Sequence, residues 1–193
     1  MTRYVTLVAS LPALPDFERA KRIPINRERL EGRLTMLTPE DYREAFRAEA
    51  FLTWQRQPEH RTDEEVLAAY GEILRSARSP VLRTMLEDRR RRRALQAALR
   101  RRHRGGPPPE PHERWVPGPL TYVLRRNWAR PDFGLGRTET WVEPMVELLR
   151  AGDALGLERL LMRRSWNALS ALMAHERPRF SFAAVLVYLF QWD

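Results

Sequence analysis

SPVLRTMLEDRRRRRALQAALRRRHRGG, Ser79 to Gly106, is the stretch from which the rest of the chain reads. Proline directly after serine marks a helix start, and a glycine pair followed by three prolines marks a stop. Between them Val81, Met85, Leu95 and Leu99 recur at helical spacing, so one long helix of roughly 35 to 40 Å is expected. Asp88 and Arg92 fall on the same face and give it a polar waist. Arg89, Arg90, Arg91, Arg92 and Arg93 are consecutive and wrap more than a turn, and Arg100, Arg101, Arg102 and Arg104 form a second cluster. Cations near a helix C-terminus also interact favourably with its dipole. Three readings of this charge stand side by side: a solvated helix face, a surface for an acidic protein partner, and a nucleic-acid surface.

Outward from that helix the signals are helical. Thr62 and Glu65 spell a capping box ahead of the stripe Val66, Tyr70, Ile73 and Ala77. Thr38 with Pro39 and Asp41 starts another helix, whose core face is read as Tyr42, Phe46, Ala50 and Trp54. Leu30, Leu34 and Leu37 share a face further upstream. Tyr4 to Ser10 is a short strand or a short helix, too brief for periodicity to decide.

Downstream, residues 105–113 read as a Gly/Pro linker that divides an N-terminal helical part, 1–104, from a C-terminal one, 114–193. Leu120 to Trp128 is expected to be a short helix, and Pro131 to Gly136 a compact loop. Thr140 and Glu143 spell a second capping box, and Gly152 ends the helix that follows. Leu155 to Leu161 and the stripe Trp166, Leu169, Leu172 and Met173 predict two further segments. Ser181 to Trp192 is apolar nearly all round, so it is expected to close the core. The fold class is all-α, a helical bundle in two parts, with the N-terminal strand as the one β alternative.

The chain of 193 residues carries a formal charge of +9 and a pI near 10.9, which predicts attraction to something acidic. Lys21 is the only lysine, a skew that discounts the arginine count as a sign of bidentate phosphate recognition. There is no cysteine, which excludes disulfides, thiol catalysis and cysteine-ligated zinc. Met1 to Leu14 lacks the order of a signal peptide, and no run reaches the roughly 20 apolar residues of a membrane-spanning helix. A cytoplasmic protein, peripheral to a membrane at most, is the expectation.

No motif names a reaction. His60, His103, His112 and His175 are scattered without metal-ligand spacing. Asp132-Phe133-Gly134 spells the magnesium triplet of protein kinases, but the glycine-rich loop, strand lysine and catalytic loop that belong with it are missing. There is no phosphate-binding loop and no nucleophile elbow. No catalytic residue, metal or cofactor is expected. For nucleic acid, only Arg125-Arg126-Asn127-Trp128 interleaves basic and stacking residues, so that reading ranks below an acidic protein.

Three stretches carry a resemblance: Tyr4-Val-Thr-Leu-Val-Ala-Ser-Leu-Pro12, Asn127-Trp128 with Pro131-Asp-Phe-Gly-Leu135, and Phe180-Ser-Phe-Ala-Ala-Val-Leu-Val-Tyr-Leu189. Together they resemble an uncharacterised family of small helical proteins encoded in bacterial V/A-type rotary ATPase operons. The long arginine helix ended by a break is also similar to the C (d-type) subunit of those motors. The resemblance implies a non-catalytic accessory or central-stalk-type subunit, acting in coupling or assembly at the inner face of the cell membrane. It implies other ATPase subunits, of the rotor ring or stalk, as partners. The partner surface expected on this reading comprises the nine arginines of the two clusters, with Trp128, Asp132 and Phe133 on the loop.

Overall fold

A computed structural model describes residues 4–52, 62–113 and 115–192. Among these there are nine α-helices and no strand: α1 Val5–Ser10, α2 Arg27–Leu34, α3 Pro39–Leu52, α4 Asp63–Ser76, α5 Pro80–His103, α6 Gly118–Arg126, α7 Val142–Ala151, α8 Ala154–Glu176 and α9 Phe182–Trp192. The all-α class is therefore as expected, and the N-terminal strand alternative is corrected to helix. Its reason is visible in the spacing. Tyr4, Leu7, Val8 and Leu11 are buried while Val5 is exposed, a 3.6-residue pattern and not alternation.

The chain forms two compact units. The first takes the described residues of Met1–Thr62, Ala68–Arg83 and Trp166–Asp193, and the second those of Asp63–Leu67 and Thr84–Ser165. The expected divide at 105–113 lies inside the second unit. There Arg101 pairs with Glu113 at 2.9 Å and the Trp128 indole donates to the Gly106 carbonyl at 3.2 Å, so polar contacts hold the proline segment to its own unit.

In the first unit α9 packs against α1 and α3, with every residue from Ala183 to Leu189 buried, as its uniform apolarity demands. Val185, Leu186, Val187 and Leu189 each stabilise the fold by about 1.5 to 3 kcal/mol relative to exposure. Leu30, Leu34 and Leu37 are buried as their spacing predicts. Helix α3 starts as expected, the Asp41 N–H bonding to the Thr38 hydroxyl at 3.3 Å.

Its buried face differs from the expected one. Glu44, Ala45, Ala48, Glu49 and Leu52 are inside, whereas Tyr42 and Phe46 are half-buried and stack at 4.3 Å, and Ala50 is exposed. Trp54 and His60 lie outside the described residues. Long-range polar partners draw these carboxylates inward, although the second Glu44 oxygen is buried without one. One Glu44 oxygen accepts the N–H groups of Arg78 and Ser79, both at 2.9 Å, just before α5 begins. Glu49 forms a double ion pair with Arg27, whose guanidinium also lies over the Trp192 ring.

In the second unit the core is built from α5, α6 and α7, with Leu95, Leu99, Leu124, Phe133 and Met145 almost wholly enclosed. Helix α5 ends as the glycines predict. Gly105 adopts φ +77°, and paired bonds from the N–H groups of Gly105 and Gly106 to the carbonyls of Arg102 and Arg101, both 2.9 Å, close the last turn. The second capping box is not formed: α7 takes Trp141 as its N-cap with no side-chain bond. Helix α8 is one continuous element where two segments were expected.

Candidate functional site: a basic cleft at the end of the arginine helix

The two arginine clusters differ in burial. Arg89, Arg90, Arg91, Arg92 and Arg93 are all half-buried, so none belongs to a fully solvated face. Arg91 donates to Glu139 at 2.6 Å, and the other oxygen of that carboxylate takes the Trp141 indole N–H at 2.8 Å. Arg92 donates to the Ser165 hydroxyl at 2.9 Å and stands 3.7 Å from Asp88, which Arg164 grips through two bonds. The polar waist read on α5 is thus an ion cluster that joins α5 to the first half of α8. Arg90 encloses its Nε without a partner.

The last turn of α5 is different. Arg100, His103 and Arg104 are exposed, while Arg101 and Arg102 turn inward. Arg101 grips Glu113 and stands over the Trp115 ring. Arg102 donates to the backbone carbonyls of Trp128, Arg130 and Pro131, and its guanidinium carbon lies 4.2 Å from the Phe133 ring centre. That contact fixes the 127–136 loop on the helix end.

The loop itself is built around Phe133, which is fully buried, adopts φ +51° and stacks on Trp128 at 5.2 Å. Asp132 accepts the N–H groups of Gly134 at 2.8 Å and Gly136 at 3.1 Å, and those bonds hold its carboxyl below the usual range. Phe133 and Asp132 therefore shape the loop, and Trp128, half-buried, packs beneath it. Of the twelve residues expected to meet a partner, the structure leaves Arg100 and Arg104 exposed.

Sequence reasoning missed what these elements enclose. Beside Arg102 lies a cleft of about 250 Å³. Leu99 from α5 with Val146 and Leu149 from α7 supply its apolar lining, Ala129 and Pro131 its loop side, and Arg102, His103 and Arg150 its charge. No carboxylate lines it, although Glu147 pairs with Arg150 at 2.8 Å on the outside of α7. Burial and then the like charge of Arg150 hold the Arg102 guanidinium below its ordinary value, with Asp132 offsetting part of the effect. Two cations thus face one partly enclosed volume, an arrangement that favours an anion. Sequence spacing could have shown only that Leu99 with Arg102 and Val146 with Arg150 share helix faces. Among the described residues, no cluster of acidic and histidine side chains could hold a metal, and no helix is long and apolar enough to cross a membrane.

Set against known proteins, the chain matches no family model, no curated protein and no solved structure.

Proposed function

We propose that the chain is a non-catalytic binding subunit that docks an acidic protein surface through the end of α5. The partner is the one the three-stretch resemblance implies, a V/A-type proton- or sodium-translocating rotary ATPase, with the chain as an accessory or central-stalk-type component in coupling or assembly. On this reading it works mechanically, a helical body holding a larger complex at the inner face of the cell membrane, with no bond chemistry of its own.

The observation that supports an acidic partner is the cleft flanked by Arg102, His103 and Arg150, with Arg100 and Arg104 exposed on the same last turn. Charge complementarity of this kind steers association and sets register more than it sets affinity. The choice of ATPase rests on the resemblance.

The test is purification of the tagged protein from its native cells under gentle detergent, with co-purifying chains identified by mass spectrometry. Rotor-ring or stalk subunits recovered in fixed ratio are the expected result. Recovery of nuclease-sensitive material without ATPase subunits would replace this reading with a nucleic-acid one.

A further inference from the structure

We propose that the outward face of α8 between Leu155 and Met162 binds the same face of a second copy of this chain. The two helices run antiparallel, with Leu155 of each copy against Met162 of the other and Glu158 against Arg159.

The two sides of this stretch are occupied differently. Leu157, Leu160 and Leu161 pack against the core of the second unit, and Arg164 grips Asp88 on that side. At about 100° per residue, Leu155, Glu158, Arg159 and Met162 share an arc of about 100° on the opposite side. All four are exposed, Leu155 by 57% and Met162 by 47%. A helix that buries one stripe places polar residues on its far side, so the core of this copy does not account for an apolar pair there. A single exposed leucine would be ordinary. Here two apolar residues stand seven positions apart, with a glutamate and an arginine between them. Neither charge has a hydrogen bond or ion pair of its own among the described residues.

The order of the four residues selects a second copy. Leu155 and Met162 are symmetric about the point between Glu158 and Arg159. A twofold axis through that point therefore sets each apolar residue on the other and each charge on its opposite, twice over. A parallel pairing would set glutamate on glutamate and arginine on arginine. The chain carries +9, but these four residues sum to zero, so the contact itself adds no like-charge repulsion. Four side chains a copy fall well short of the roughly 20 to 30 residues a side of a stable interface, so the pairing is weak and reversible. None of the four lines the basic cleft, and the pairing stands or falls apart from the acidic-partner reading.

Because the chain has no cysteine, disulfide trapping tests the register directly. Leu155→Cys and Met162→Cys are made as single variants and exposed to mild oxidant alone and mixed. The mixture should give a crosslinked heterodimer about tenfold above either variant alone, since like positions lie about 10 Å apart along the antiparallel pair. Leu155→Cys mixed with Arg126→Cys, an exposed position on α6, gives the background. Glu158→Arg in both copies should lower the heterodimer yield about tenfold, and adding Arg159→Glu should restore it, which a damaged fold would not allow. Trapping of the single variants equal to that of the mixture, no heterodimer above background at about 1 mM chain, or failure of the charge swap to restore it overturns the proposal.

Discussion

Tyr188 carries a hydroxyl buried in α9 without a hydrogen-bond partner, and its ring is 3% exposed. Burial pushes its pKa up to about 12, against the opposing charges of Arg33 and Arg177. The phenol in the unfolded chain ionises near 10.0, so between that pH and about 12 the folded state holds the proton more tightly. Stability is thus fully present below pH 10 and falls as pH rises through the folded value. Tyr188→Phe should raise stability by about 1 kcal/mol at neutral pH, because it removes an unsatisfied buried group. Urea unfolding at neutral and alkaline pH checks both parts, and the variant should lose less stability above pH 10. Asp132 has the opposite sign. Its lowered pKa contributes stability above the ordinary carboxylate range and loses it as pH falls, so the deficit of Asp132→Asn should shrink in acid. Glu49 is 1% exposed and bound twice by Arg27, which is 28% exposed and also paired with Glu31, so Glu49→Gln loses a charge-assisted pair and should cost about 2 kcal/mol in urea unfolding.

Among the elements, the end of α5 depends on Gly105 at φ +77°. Gly105→Ala should cost about 1 kcal/mol in thermal unfolding, since a Cβ is disfavoured in that left-handed conformation even though open space surrounds it. Such ends were legible in the sequence because glycine there answers a local demand. So were α2 and α9, whose leucines and apolar run are buried as the spacing requires. Burial on α3 was not legible. One Glu44 oxygen is held by N–H groups 34 and 35 positions away and Glu49 by an arginine 22 positions away, and no local pattern announces partners so distant. The Thr140 box failed for a related reason: Trp141 is drawn inward and its indole bonds to Glu139, a carboxylate also held by Arg91 from α5. The cleft was not legible because it joins residues from α5, the loop and α7 that lie up to 51 positions apart in sequence, from Leu99 to Arg150.

Across the whole molecule, a charge of +9 sets the sign of any partner without choosing its kind. Position makes the choice sharper. The run Arg89 to Arg93 is half-buried, with Arg91 and Arg92 tied to groups of their own unit, so charge reversal there should unfold the protein before it tests a surface. Arg100 and Arg104 are exposed one turn apart, and reversal there should spare the fold. The most direct measurement is therefore quantitative mass spectrometry of proteins co-purified from native cells with the wild type and with Arg100→Glu/Arg104→Glu, alongside the melting temperature of each. The expected result is ATPase subunits in fixed ratio with the wild type, depleted about tenfold or more in the variant at an unchanged melting temperature. Equal recovery of partners by both proteins, or a wild type that brings down no acidic protein, would contradict the account.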